Sequence, residues 1–428
     1  MNDSFGIAQR LPLHASLVVW GKSYVDLLLR VALPALAAPG NLPYLARETD
    51  LTFDIYTRSV DAEYIRTHPT FQATNRIVPI HLNPLIDTLP RRPYPSMTMN
   101  DCQRYALAKA NREKAPILML LADIIISNNL GECILKAFRN GKRAVVTQGM
   151  RIKQETVLRL LEERFGQNPL TLCLTPRELV GLAVANLHPF IENQFIESRH
   201  FVYSAELYWW VGKNNFLARN YCLSPVAVWP MNPDVLPEIT FDDVYIERAI
   251  PSADAYHIIT DSDEGVLFTL APERYMIDPI PQSERLFSPQ GYANQIARFF
   301  MSKNLGWIHS HYFRHNVRIH ADELDRTAWK KQERVAQRVV SAILRSFHWQ
   351  LGVMKFLSPL KEKLMAFAER VPIWASNIIP KTIPKIISKF IPKFIMRHPM
   401  NRSFLRFVRQ KKLECHLAHD FTIQLSVR

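Results

Sequence analysis

The chain has 428 residues, 48% hydrophobic and 21% charged, with a formal net charge of +14, so it can bury a large core and wholesale disorder is excluded. Its length suggests two globular units, or one large unit with an appendage. Five scattered cysteines (Cys102, Cys133, Cys173, Cys222, Cys415) form no CxxC pair, which argues against a redox centre or zinc knuckle and suggests reduced thiols.

The first residues carry Asp3, only Arg10 as a base, and no apolar core followed by small residues, so no secretory signal is expected and an intracellular location is. His14 to Gly21 (HASLVVWG) reads as a strand ending in glycine, and Tyr24 to Ala38 as a buried amphipathic helix. That apolar stretch is interrupted by Asp26, Arg30 and Pro34 and is too short to span a bilayer. Leu51 to Thr57 predicts the next strand and Arg76 to Ile80 a third, the alternation of a parallel sheet covered by helices.

A helix over Asn100 to Lys114, capped by Asn100 or Asp101, leads into Ala115 to Ser127 (APILMLLADIIIS), the most apolar strand of the chain and a candidate sheet centre. A helix from Leu130 to Asn140 stops at Gly141, and Arg143 to Thr147 is a further strand. Helices are expected over Glu155 to Phe165 and Arg177 to Leu187, and aromatic-rich short strands between Phe201 and Pro230. Tyr256 to Thr260 is a strand that ends on Asp261-Ser262-Asp263-Glu264-Gly265, and Val266 to Leu270 resumes extended structure. Tyr292 to Leu364 is mainly helical, with the longest periodic run over Leu324 to Leu351.

The net charge is concentrated at the C-terminus. Val371 to Arg428 holds six lysines and five arginines against Glu414 and Asp420 alone, a surplus of nine. Within it, IIPK-TIPK-IISK-FIPK-FIMR repeats a base every fourth residue, and Pro380, Pro384 and Pro392 rule out a regular long helix. Isoleucine and phenylalanine between lysines suit the headgroup boundary of an anionic membrane, contacted through residues 378–412, better than they suit nucleic acid.

Three groups could carry chemistry. Asp261 and Asp263, two positions apart at a strand end, either hold Mg²⁺ or Mn²⁺ that bridges the diphosphate of a nucleotide-sugar, or form a solvated turn bonded to its own backbone. Asp123, inside the apolar run and followed by Ser127, Asn128 and Asn129, must be paired, protonated or coordinated. His309, His311, His315 and His320 are read first as part of an amphipathic helix, then as phosphate-facing together with Arg314 and Arg318, and least as a metal site. Tyr208, Trp209, Trp210 and Trp229 could stack on a sugar or base, although burial in the core is the commoner fate. No GxGxxG, GxxxxGK[ST], GxSxG or HExxH occurs, which disfavours dinucleotide and P-loop sites.

In order, VVWGKSYVDLLLRVALPALAAPGNLPYL, LTFDIYT, RYALAKANREKAPILMLLADIII and ITDSDEG resemble the successive elements of bacterial GT-A-type glycosyltransferases, over residues 10 to 275. The chain departs from that pattern at Leu121-Ala122-Asp123, which keeps one acid of a DxD. The resemblance implies a GT-A-like, Rossmann-type α/β domain over 1–275 with a mostly parallel sheet; periodicity and charge add a helical region over 276–370 and a basic tail over 371–428. It implies a nucleotide-sugar donor held by Asp123, Asn128, Arg151 and Trp20, with Lys153 also available to phosphate. Mn²⁺ or Mg²⁺ would sit on Asp261 and Asp263. Asp123 and Glu264 are catalytic candidates, and Asp242 and Asp243 further carboxylates. The acceptor would be a cell-envelope glycan or lipid-linked molecule at the cytoplasmic face of the membrane. A non-enzymatic membrane-associated binding protein is the alternative.

Overall fold

A computed structural model describes residues 10–238, 241, 245–303, 311–323 and 326–345. One compact unit runs from Met1 to His348, and a second, Trp349 to Arg428, lies outside the described residues. The basic tail, residues 378–412 within it, His309, Asp242 and Asp243 are therefore outside the description.

The centre is a seven-stranded sheet in the order β11-β6-β10-β4-β1-β2-β3. Its strands are β1 (Leu11–Val18), β2 (Thr49–Tyr56), β3 (Ile80–Asn83), β4 (Ile117–Leu121), β6 (Ala144–Thr147), β10 (Ser224–Val228) and β11 (Tyr256–Ile258). All neighbours run parallel except β10, which is antiparallel to both β4 and β6. A second sheet, β5-β12-β7, contains β5 (Ile124–Ile126), β7 (Gly149–Lys153) and β12 (Leu267–Ala271), and a third, β13-β9-β8, contains β8 (Glu206–Trp210), β9 (Asn215–Asn220) and β13 (Val317–His320).

Both faces of the central sheet are covered, which accounts for unbroken apolar runs where a one-sided sheet would alternate. Leu13, Ala15, Leu17, Leu118 and Leu120 pack into one cluster with the helical stretch of Val25, Leu29 and Leu33 and with the second sheet. Val18, Ile117 and Met119 pack into the other with Cys102, Ala106 and Leu107 of helix Pro95–Arg112 and with Tyr245 and Ile246. Trp209 and Tyr208 are core residues, and Phe195 stacks on Trp210 with centroids 4.2 Å apart. Trp229 also has a packing role, with its ring under the Arg143 guanidinium at 4.1 Å.

Three expectations are corrected. The run from Ala115 to Ser127 is two strands in two sheets, because the chain turns at Ala122–Asp123 and the Asp123 carbonyl takes the Leu270 amide at 2.8 Å. The third strand begins at Ile80, because helix Pro69–Ile77 extends through Arg76 and Ile77; the Ile80 amide, just after Pro79, donates to Asn75 Oδ1 at 2.7 Å. The histidine stretch is not one amphipathic helix, because Val317–His320 is strand β13, and Arg151 and Lys153 lie in β7. The first helix contains a π-helical segment, Leu28–Ala32, directly before Pro34, whose missing N–H removes one α-type bond. Residues 326–345 form a helix. Among the described residues no helix is long and apolar enough to cross a membrane.

Candidate functional site

β1 and β4 are neighbours, while the chain passes from β1 to β2 and β3 on the other side. The crevice beyond the carboxyl ends of two such strands is where open α/β sheets bind ligands. β1 runs into Trp20 and Gly21, whose positive φ of 79° suits glycine and whose amide donates to Asp61 Oδ2 at 2.9 Å. Val18 pairs with Leu121, the last pair of the β1–β4 ladder, and partly buried Trp20 just beyond it packs against the cluster of Val18 and Tyr56.

Asp123 occupies the turn between β4 and β5 and is largely buried, and burial pushes its carboxyl up, opposed by its own backbone amide and by Arg151. The phenol of Tyr24 is raised by burial of its hydroxyl, then by the charge of Asp123 and by Tyr275. Both tyrosines keep about half their surface in solvent, at 55% and 48%, so an aromatic mouth opens on Asp123. Arg151 enters from β7 with its guanidinium 5.6 Å from the Tyr275 ring. Among the described residues no carboxylate comes within ion-pair distance of Arg151 or cation of Asp123.

A second carboxyl, Glu206 at the start of β8, is also pushed up by burial, opposed by the Ser204 hydroxyl and by the charge of Arg151. The Ser204 hydroxyl donates to it. Behind it, Asn220 donates to Gln148 Oε1 at 3.3 Å, and Gln148 Nε2 donates to the Tyr208 hydroxyl at 3.0 Å. The charge of one arginine without an ion-pair partner among the described residues thus reaches two carboxyls, one in a turn and one on a strand. His188, whose backbone amide donates to the Arg151 carbonyl at 3.1 Å, is pushed below its usual range by burial above all, with the Arg151 charge adding, and its Nε2 sits 3.0 Å from the Pro272 carbonyl.

The acidic turn lies elsewhere. β5 and β12 are antiparallel, with Asp123 bonded to Leu270 at one end and Ser127 to Val266, just past the turn, at the other. Four residues of strand separate these ends by roughly 13 Å. At the far end Asp261 Oδ1 accepts the Asp263 amide at 3.0 Å and lies 2.7 Å from His320 Nε2. The His320 contact, first of all, holds the Asp261 carboxyl below its usual range. Asp263 takes a two-pronged ion pair from Arg177 at 3.1 and 2.9 Å. One ligand atom each from Asp261, Asp263 and His320 fall within 4.8 Å of one another. The set fits a divalent cation in kind, Mn²⁺ better than Mg²⁺ because of the imidazole, and a cation there competes with Arg177.

Asn128 belongs to this far end, with its side-chain amide 3.5 Å from Cys173 Sγ and its backbone amide on the Leu174 carbonyl. Glu264, in the same turn, pairs with His257 at 3.0 Å. Thus Asp123 and Arg151 come together, Trp20 packs at the carboxyl end of β1, and Asn128, Asp261, Asp263 and Glu264 form a separate group. His311 and His315 face each other at 3.4 Å, away from His320, which is on β13. Sequence reasoning missed Glu206, His188 and the contact of His320 with Asp261. The usable signal for Glu206 is a carboxylate at the head of the otherwise apolar and aromatic strand ELYWW; nothing local marks the other two.

No family model matches the chain, and no curated protein matches it. Among the solved structures that share a partial likeness is one described as "Putative Glucose-1-Phosphate Thymidylyltransferase from Bacillus anthracis in Complex with a Sucrose", with a TM-score of 0.22 and 11% identity. The overlap covers 32% of this chain and 55% of that one. A likeness of that size carries no weight for fold or function.

Proposed function

We propose that this chain is a nucleotide-sugar-dependent glycosyltransferase with a GT-A-like domain, moving a hexosyl group to a cell-envelope glycan or lipid-linked acceptor at the cytoplasmic face of the membrane. The observation that carries the reading is Arg151, a cation of β7 without an ion-pair partner among the described residues, whose charge acts on both Asp123, just past the carboxyl end of β4, and Glu206. An uncommitted guanidinium there is suited to a diphosphate, whose two phosphates it can grip through its forked donors.

In this reading Trp20, Tyr24 and Tyr275 flank the base or sugar ring, and Arg151 neutralises the charge that grows on the departing diphosphate. The acceptor hydroxyl oxygen bonds to the anomeric carbon, the bond from that carbon to the diphosphate oxygen breaks, and the hydroxyl proton passes to a carboxylate. Glu206 is well placed for that proton, because burial raises its affinity for one. Asp123 orients the donor from the opposite side. Mn²⁺ or Mg²⁺, if used, would be held by Asp261, Asp263 and His320 at the other end of the β5–β12 ladder, where it would order the acidic turn and not meet the diphosphate held by Arg151. Lysines 381, 385, 389 and 393, each adding on the order of 1 kcal/mol at an anionic leaflet, would keep the enzyme beside lipid-linked acceptors.

The test is a thermal-shift screen of the full chain against UDP-, GDP-, CMP- and dTDP-sugars, with and without Mn²⁺. A ligand at one hundred times its Kd stabilises by about 2.7 kcal/mol, roughly a 5 °C shift for a protein of this size. A shift with one nucleotide class that Asp123→Asn removes supports the assignment, and no shift with any donor overturns it in favour of the binding-protein reading.

A further inference from the structure

Three side chains far apart in sequence meet behind the acidic turn. Cys133 comes from helix Leu130–Arg139, His257 from the edge strand β11, and Glu264 from the turn Ser262–Glu264. Cys133 Sγ lies 3.7 Å from His257 Nε2, and Glu264 Oε2 lies 3.0 Å from the same nitrogen. One ligand atom from each of the three falls within 4.8 Å of the others.

Cysteine, histidine and glutamate also make up a nucleophile with its base and orienting acid, but that relay needs both ring nitrogens, one toward the thiol and one toward the carboxylate. Here thiol and carboxylate address the same Nε2, so no proton can be handed along the three. Sulfur, imidazole nitrogen and carboxylate oxygen converging on one point are instead the ligand types of a zinc site with three protein ligands and an open fourth position. His257 and Glu264 keep 27% and 40% of their side-chain surface in solvent, which gives an ion a way in. Burial first, and then the charge of Glu264, push the Cys133 thiol up to about 12, with Lys136, one turn along the helix, opposing them, so an ion binding here displaces the thiol proton.

We propose that Cys133, His257 and Glu264 form a binding site for a zinc-class divalent cation. Bound there, the ion ties β11, a three-residue strand paired on one side only, to the helix and to the turn that carries Asp261 and Asp263. The site is independent of the nucleotide-sugar reading, and either can fail while the other stands.

The full chain, stripped with a chelator, is titrated with Co²⁺ and then with Zn²⁺ while the near-ultraviolet thiolate-to-cobalt charge-transfer band is followed. The expected result is a band that saturates at one equivalent of Co²⁺, bleaches with Zn²⁺, and is absent in Cys133→Ser. Glu264→Gln, on a half-exposed turn and safe for folding, should weaken Co²⁺ binding by more than about tenfold. Asp263→Asn should leave the band unchanged, which separates this site from the neighbouring cluster. A missing band in the wild type, a band that survives Cys133→Ser, or wild-type affinity in Glu264→Gln would overturn the proposal.

Discussion

Asn41 is 1% exposed and ties three pieces of backbone together. Its side-chain amide donates to the Ala35 and Ser127 carbonyls, each at 2.9 Å, and its Oδ1 accepts the Gly131 amide at 2.9 Å. The packing is close, since a Cβ on Gly131 would meet the Gly40 carbonyl at 2.7 Å and Asn41 Cα at 2.8 Å. Ser127 in turn accepts the Val266 amide on its hydroxyl at 3.0 Å, so Asn41 indirectly holds the acidic turn. Asn41→Ala removes three hydrogen bonds worth about 1 kcal/mol each and leaves a buried N–H without a partner, which adds about 1–2 kcal/mol, for a total loss of about 4–5 kcal/mol. Asn41→Asp keeps the acceptor but turns an oxygen toward two carbonyls, and should cost at least as much. In urea, with a slope of about 3 kcal/mol/M, the Asn41→Ala midpoint should fall by about 1.5 M. A loss under about 1 kcal/mol would mean that these bonds are replaced by water and that Asn41 is not the clamp described.

Asp123→Asn should stabilise the ligand-free protein by about 0.5–2 kcal/mol at pH 7 while removing nucleotide binding. The sign follows from a carboxyl raised by burial: the cost of its charge is present above the folded-state pKa and fades as pH falls toward 3.8, so the gain in urea stability should shrink on the same path. His188 is shifted the other way, below 6.5. Its neutral form is favoured by folding, so stability should be lost as pH drops below about 6.5, at no more than about 1.4 kcal/mol per pH unit, and His188→Gln should flatten that slope by the same amount. Equal slopes in the two proteins would show that His188 stays neutral in the unfolded chain or charges freely in the fold. Truncation after residue 370 should leave a folded protein that no longer sediments with phosphatidylserine vesicles, whereas the full chain should sediment even with competing duplex DNA. Sedimentation of both forms would remove the tail from the membrane proposal.

Much of the architecture is legible in sequence because burial on both faces of a sheet leaves a strong mark. HASLVVWG and the apolar run around Met119 predicted the two strands that flank the crevice, and burial alone drew attention to Asp123. What could not be read was decided by tertiary pairing. ILMLLADIII looks continuous, yet β5 leaves for another sheet because β12 and β7 offer it partners there. Asp261 and Asp263 look like natural companions of Asp123, but the antiparallel β5–β12 ladder holds them at its other end. His320 reads as one of four clustered histidines, and the pairing of β13 with β9 carries it to Asp261 instead. Cys133, His257 and Glu264 span 131 positions and share no motif, so their meeting is visible only once helix, edge strand and turn are assembled.

The most direct measurement is calorimetric titration of UDP and GDP into the wild-type chain, Arg151→Gln, Asp123→Asn and the Asp261→Ala/Asp263→Ala pair. If Arg151 grips the diphosphate, one nucleotide should bind the wild type and lose at least about tenfold in affinity in Arg151→Gln, a cost of about 1.4 kcal/mol, with a comparable loss in Asp123→Asn. Unchanged binding in Arg151→Gln, or binding abolished only by the Asp261/Asp263 change, would place the diphosphate at the acidic turn and not beside Arg151.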